Sequence, residues 1–512
     1  MSSLVRRLAG RIRHRLRPPP IIDSVDNAPW DHPFLTSENL RRFRDYCGAV
    51  WDFAVDYHTK YPRPLNLVFC VNIAQSAYKW AALSIEYGVP ATLYLHPLDN
   101  NALSTPEWED FDGEFPNVHE GAAFLEAARE VKPRCPVVRT PLGGEELYNA
   151  LRKAKTGNRK PLFELVGYPS AIRYEPFLTH SGTAPTLPMV QALTKHDAVM
   201  APSIPIPAYL SGRPYLAQSI GGDLQFDCGK GDEFGQLIAL SFAAARFLNF
   251  TNPHVIGMCR RLGMTNGLYL PYPMDDERYC PGPGHARKEW VAEHGEGTYV
   301  LSTARIDNSV KGNGTAILGA LVEAAKKCPS LRYVFLAWGH GADQFREEVN
   351  ATGVGHQFVF RKPVGKTRLI DYLRSCDAVL DQFVYGYYGA TGLEAAGVGK
   401  PILMRILAEQ YSPLYRGDVA PVINLSGPDQ LASALVKLVE QPDWHRQRGE
   451  ELRAWLVRNH GAKRTMPILL ALMRLAADNV PLPADLVNPL RDVESQAERE
   501  YHKACLKARV EG

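Results

Sequence analysis

Arg305 and Lys311 are two permanent cations six residues apart in the stretch Ala304-Arg305-Ile306-Asp307-Asn308-Ser309-Val310-Lys311-Gly312, directly after the apolar run Tyr299 to Thr303. A guanidinium and an ammonium brought to one loop suit a diphosphate better than a single carboxylate. Taken alone the pair reads equally as ordinary surface charge; its meaning depends on its company. A second stretch, Asp381-Gln382-Phe383-Val384-Tyr385-Gly386-Tyr387-Tyr388-Gly389-Ala390-Thr391-Gly392, runs from the end of one apolar segment into a helical pattern. The backbone N–H groups from Gly389 through Ala390 and Thr391 to Gly392 would leave that helix start at its positive dipole end, which suits phosphate oxygens. Glu394, one turn in, is placed to take two ribose hydroxyls. Between the two stretches, Phe358-Val359-Phe360-Arg361-Lys362-Pro363-Val364 ends a strand in a loop whose backbone, around Lys362 and Val364, can pair with the edge of a nucleotide base.

These residues need a parallel sheet to carry them. Leu65 to Val71 reads as a buried strand, Ala74 to Tyr87 as a helix and Ala91 to Leu95 as a second strand, which makes the sheet parallel. Further units are predicted at Val137, Leu162 to Val166, Ala198 to Met200 and Pro214 to Ile220, with a helix over Glu233 to Phe247. After the proline- and glycine-rich stretch from Pro271 to Gly284, a linker, five strands alternate with four helices between Tyr299 and Met404. The expected fold class is therefore α/β, with two doubly wound Rossmann-like domains facing a cleft. The expected divisions are a basic segment at 1–30, a first domain at 31–272, a second at 273–460, and helices at 461–512 that pack back on the first domain. Val493, Ala497, Tyr501, Cys505 and Ala508 form the apolar stripe of the last of these.

Residues 97–120 are acidic and poorly periodic and read as a surface insertion. They contain Asp110-Phe111-Asp112, a spacing that can hold a divalent metal but that so acidic a loop also produces by chance. Nine cysteines stand singly, without a C-x-x-C pair or a zinc-like cluster, so the expectation is no metal, no cofactor and a reducing compartment. With 45% hydrophobic and 22% charged residues and no apolar run of spanning length, the chain is expected to be cytoplasmic. The net charge of +3 hides a basic start: residues 1–20 carry six arginines and no acid. Leu4, Leu8, Ile12 and Leu16 would form one stripe of a helix among them. Two readings stand, peripheral attachment of residues 1–17 to an anionic membrane and a basic tail. Sequence-blind attraction to nucleic acid explains the leucine stripe less well, so no nucleic-acid partner is expected.

In this order, the Arg/Lys pair after the domain's first strand, the Gly389-x-x-x-Leu393-Glu394-Ala395 helix and the following Gly399-x-Pro401-Ile402 resemble the retaining family 4 glycosyltransferases, of the GT-B fold. The resemblance covers about residues 250 to 405. It implies an enzyme that moves a sugar from a nucleotide-diphospho-sugar, UDP or GDP type, to a glycan or lipid-linked glycan, with retention. The first domain would face the acceptor and the second the donor. Arg305 and Lys311 would neutralise the diphosphate, Gly389 and its neighbours bind phosphate, and Glu394 hold the ribose. The family commonly has a further Glu eight residues before Glu394, where this chain has Gly386; Asp381 and Gln382 would then serve the sugar hydroxyls. Gly221-Gly222-Asp223-Leu224 resembles the segment where a loop meets donor sugar and acceptor, which nominates Asp223, although an Asp after two glycines also simply fixes a turn. Asn72 and Ser76, after the first strand, are weaker acceptor or phosphate contacts, whereas a lone His96 at the end of the second strand reads as a structural residue. Gly386 also leaves room for another reading, a non-catalytic nucleotide-binding scaffold that partners a transferase.

Overall fold

The structure, a computed structural model, describes residues 31–96, 101–115, 118–141, 145–166, 173, 187–228, 233–309 and 311–511. The basic segment, and with it the expected membrane attachment of residues 1–17, lies outside them. No described helix is long and apolar enough to cross a membrane.

Two parallel sheets carry the chain. The first contains β1 (Leu67–Cys70), β2 (Ala91–Leu95), β3 (Val137–Arg139), β4 (Ala198–Pro202), β5 (Tyr215–Gln218), β6 (Phe247–Phe250) and β7 (Gly267–Tyr269), in the order β3-β2-β1-β4-β5-β6-β7. The second contains β8 (Thr298–Ser302), β9 (Leu331–Leu336), β10 (Phe358–Arg361), β11 (Ala378–Leu380), β12 (Ile402–Met404) and β13 (Ile423–Asn424), in the order β10-β9-β8-β11-β12-β13. Leu67 pairs with both Ala91 and Ala198, and Val300 with both Tyr333 and Ala378, so β1 and β8 sit at the points where strand order reverses. In such sheets ligands lie beyond the carboxyl ends of the strands at that reversal. Strands β1, β4, β5 and β6 are buried along their whole length, as parallel strands covered on both faces must be.

The first domain is closed by helices from both ends of the chain. Helix α1 (Ser37–Lys60) is capped by Thr36, whose hydroxyl accepts from Asn39 N at 3.2 Å. Its fully buried stripe Leu40, Phe43, Cys47, Val50 and Ala54 has helical spacing. Helix α2 (Ser76–Glu86) follows β1, while α3 (Lys366–Ser375) and α4 (Ala390–Gly397) follow β10 and β11. Helix α5 (Pro442–His460) leads into α6 (Ala462–Ala477), which packs on α1, α2, β4 and β5. The last helix, α7 (Gln496–Glu511), is tied to the first domain by the buried Arg260–Glu498 ion pair at 2.8 Å. The linker lies beside this return crossing: Met274 N donates to His460 O at 2.9 Å and Ala462 N to Asp276 at 2.8 Å.

Several expectations are corrected. Leu162 to Val166 is not a strand but part of a helix, Lys160–Val166, with only Leu162 buried; a short apolar run fits either element, and Pro161 suits a first helical turn. The helix from Glu233 stops at Ala243, and Phe247 begins β6, a boundary without a Gly or Pro breaker. Val493 is 91% exposed and lies outside the packed face of α7. The insertion is not a surface loop. Ala102, Phe115, Val118 and Phe124 make a small core of their own, and Glu107 and Glu109 are buried. Its acids find distant cations, Glu107 with Arg139 at 2.7 Å, Asp110 with Arg278 at 2.8 Å and Asp112 with Arg368 at 3.1 Å. Three backbone bonds join it to the second domain: Phe115 N to Pro363 O at 3.0 Å, Gly365 N to Gly113 O at 2.9 Å and Thr367 N to Phe111 O at 3.3 Å.

Candidate active site

The loops after β8 and β11, on either side of the strand-order reversal, meet edge to edge. Phe383 N donates to Lys311 O at 2.7 Å, and Lys311 Nζ donates to Gln382 Oε1 at 3.0 Å. Gly312, at φ 63°, brings the loops close: a Cβ there would stand 2.6 Å from Val384 Cγ2. Lys311 is half-buried. Burial pulls its ammonium below its usual range, and Asp381 opposes that pull. Arg305 remains 44% exposed beside Asp307 at 3.3 Å, outside the enclosed part of the loop.

Asp381 is fully buried, and neither carboxylate oxygen has a hydrogen-bond partner among the described residues. Burial raises its pKa, with Lys311 and the Gly392 amide acting the other way. The start of α4 closes over it. Gly389 occupies the N-cap position without a side-chain cap, and Ala390 and Thr391 follow. A Cβ on Gly389 would lie 3.7 Å from Lys311 Nζ and 3.8 Å from Asp381 Oδ2, and one on Gly392 only 2.9 Å from Asp381 Oδ2. The two glycines therefore let a cation, a buried carboxylate without a hydrogen-bond partner among the described residues and a helix N-terminus approach one another closely. Groups desolvated in this way act strongly on any charge brought between them.

Glu394 is placed differently from the sequence expectation of a free ribose ligand. Its Oε1 accepts from Lys79 and from Lys366, each at 2.8 Å, and its Oε2 from Lys366 at 2.7 Å. Burial pushes its pKa up, but Lys366 and Lys79 overcome that and hold it well below the usual carboxylate range. Lys79 comes from α2 of the other domain and also faces Glu109 at 3.7 Å, which accepts from Tyr279 OH at 2.6 Å. A ribose can reach Glu394 only in competition with two ammonium groups.

Beside Lys366 lies a cavity of about 120 Å³. The ends of β8, β9 and β10 contribute Thr303, Leu336, Trp338 and Val364, the start of α4 contributes Ala390 and Thr391, and the insertion closes the far side. Val364 thus lines an enclosed space, with its carbonyl taken by Trp108 Nε1 at 2.9 Å, whereas Lys362 points into solvent. A larger open groove of about 910 Å³, between Trp51, Asp56, Arg416 and Arg464, includes none of these residues.

On the first-domain side, Asp223 accepts from Ser219 Oγ at 2.7 Å, Ile220 N at 3.0 Å and Leu224 N at 2.7 Å, so both oxygens hold its own turn. Burial raises its pKa to about 6. Asn72 binds Ser104 O at 2.9 Å and Tyr78 N at 3.0 Å, Ser76 is buried near Tyr272, and His96 is half-buried. Gly386 is packed: a Cβ would meet Leu407 Cγ at 2.4 Å. Asp110 and Asp112 are neutralised by arginines, and no cluster of three metal-ligating side chains occurs among the described residues.

Four residues here escaped the sequence reading: Lys79, Lys366, Trp108 and His254. His254 stacks on Tyr387 of the second domain at 4.4 Å, and neither of its nitrogens has a hydrogen-bond partner among the described residues; burial lowers its pKa to about 3. Lys79, amid Ala-Tyr-Lys-Trp-Ala-Ala, was marked by an ammonium on an otherwise apolar helix, and Lys366 by its place just beyond a strand's carboxyl end.

No family model and no curated protein matches the sequence. Solved structures do match its shape. Anabaena HepE in complex with UDP aligns at TM-score 0.52 with 12% identity, covering 82% of this chain and 100% of that one. The same protein with UDP and glucose gives 0.53 at 13% identity, over 82% and 100% of the two chains. TarM gives 0.52 at 9% identity, over 80% and 99%. With two doubly wound parallel sheets facing one another and neighbours matched along their full length, the chain has the GT-B fold.

Proposed function

We propose that the protein is a glycosyltransferase that moves a sugar from a nucleotide-diphospho-sugar to a glycan or lipid-linked glycan, with retention at the anomeric carbon. The observation that carries this reading is the convergence, at the strand-order reversal, of Lys311, the buried Asp381 and the start of α4. Its fold is shared with HepE, solved with UDP, with UDP and glucose, and with UDP-glucose. An acceptor hydroxyl attacks the anomeric carbon as its bond to the diphosphate breaks. Lys311, Arg305 and the helix N-terminus stabilise the departing negative charge, the part a metal ion plays elsewhere. Asp381 and Gln382 hold sugar hydroxyls, and residues 1–17 attach the enzyme to an anionic membrane on the cytoplasmic face.

A second reading, a nucleotide-binding scaffold without turnover, is favoured by one specific observation: Glu394 is saturated by Lys79 and Lys366. The two are separated by titrating the purified chain with UDP, GDP, ADP and their sugars. Ligand at a hundred times its Kd stabilises a native protein by about 2.7 kcal/mol, a readable thermal shift. A shift lost in Lys311→Ala, with release of nucleotide diphosphate in the presence of acceptor, supports the transferase. A shift without release under any acceptor condition supports the scaffold, and no shift at all removes both.

A further inference from the structure

The cavity beside α4 has an unusual wall for a site of the second domain: Leu103, Trp108, Phe115 and Val118 all belong to the first domain's insertion. We infer that it is a base pocket of single-ring size, so that the donor is a pyrimidine nucleoside diphosphate, and that the insertion is the element that excludes purines. The inference rests on the transferase reading and narrows its substrate class.

Size is the first argument. An apolar cavity of about 150 Å³ holds one benzene molecule, and the space here is about 120 Å³. A space no larger than that leaves no room for a fused second ring unless a wall moves. The walls resist movement. Trp108 Nε1 is bonded to Val364 O at 2.9 Å, and the backbone bonds of Gly113 and Phe115 to Gly365 and Pro363 clamp the segment that follows it. Lys366 Nζ lies 4.6 Å over the Trp108 ring, a cation–π contact that fixes the indole plane.

Chemistry is the second argument. Thr303 lines this cavity, but its buried Oγ1 is shut off from it, so the walls, chiefly Leu103, Trp108, Phe115, Val118, Leu336 and Trp338, offer a flat ring apolar contact and select by size. Ala390 and Thr391 line the same cavity and also begin α4, which sets the cavity against the helix start assigned to the diphosphate.

The test is isothermal titration of the full chain with UDP, CDP, GDP and ADP. Overpacking one extra ring against fixed walls is expected to weaken the purine nucleotides by about tenfold or more. Trp108→Ala removes the largest wall and is expected to shrink that gap to about threefold or less, chiefly by tightening GDP and ADP; Leu103→Ala makes the same comparison with a smaller opening if Trp108→Ala does not fold. GDP or ADP binding the wild type as tightly as UDP overturns the inference while leaving the transferase reading intact, as does an unchanged ratio in a folded variant. Failure of all four nucleotides to bind the wild type removes the transferase reading and this inference together.

Discussion

Lys79 and Glu394 are 315 residues apart in sequence and 2.8 Å apart in space, a buried ion pair that joins α2 of one Rossmann-like domain to α4 of the other. With Lys366 and Glu109 it forms a cluster of two cations and two carboxylates, all but closed to water. Balanced and hydrogen-bonded, such a cluster is tolerated; with one member missing it is not.

Lys79→Met should therefore cost about 3 to 5 kcal/mol of stability, because it leaves a buried carboxylate uncompensated. Adding Glu109→Gln restores the charge balance and should recover part of that loss. Chemical denaturation measures both; a Lys79→Met midpoint equal to wild type would mean that the pair contributes nothing.

Lys311→Met should lower kcat by about a hundredfold to a thousandfold, the usual effect of losing one preorganised group that stabilises transition-state charge. Steady-state kinetics and a melting curve report it together. Wild-type turnover in this variant would end the assignment of Lys311 to the departing diphosphate.

Gly365→Ala puts a Cβ 2.1 Å from Phe111 O, a backbone atom that cannot turn aside. The variant should release the insertion and make residues 101–118 sensitive to limited proteolysis. Gly319, exposed within the helix Thr315–Lys327 with nothing within 4 Å of its would-be Cβ, is the control: Gly319→Ala should stabilise by about 0.5 to 1 kcal/mol. Equal protease resistance of Gly365→Ala and wild type would rule out the docking role of Gly365.

His460 governs an acid limb of stability. Its Nδ1 faces Tyr272 O at 2.9 Å and must donate; its Nε2 then accepts from Tyr415 OH at 2.8 Å, so the ring is neutral with its proton on Nδ1. Burial lowers its pKa from 6.5 to about 4, against the Tyr272 carbonyl. A depressed folded pKa means that the unfolded chain takes the proton first as pH falls. The stability of the neutral ring is complete above pH 6.5 and is lost progressively toward pH 4, up to about 3 kcal/mol. Denaturation midpoints between pH 7 and 4 should show this slope, and His460→Gln should flatten it; an identical slope in the variant would place the effect elsewhere, for instance in His32, whose pKa burial and His502 lower to about 4.

What the sequence made readable, and what it hid, divides along range. The second domain's helices Thr315–Lys327 and Lys366–Ser375 were legible to the residue because buried parallel strands are short apolar runs and the helices between them keep a 3.6-residue period. The loops bearing Lys311, Asp381 and Gly389 were legible as loops because the apolar runs before them mark where β8 and β11 stop. The partners of Glu394 were not, since nothing local announces an ammonium from 315 residues away. Nor was the burial of the insertion: its acids look solvated until Arg139, Arg278 and Arg368 arrive from other elements.

The first domain's own core is completed by the other end of the chain. Met466, Leu469, Leu470, Leu472 and Met473 of α6 are buried against α1, α2, β4 and β5, after the whole second domain has intervened. During synthesis the second domain can thus finish folding while its elder neighbour still waits, its apolar face bare, for residues that follow that domain in the chain. Domains usually mature in the order in which they leave the ribosome; here the order is inverted, and a ribosome stalled before Ala462 would hold a chain whose first domain is the unfinished, aggregation-prone part.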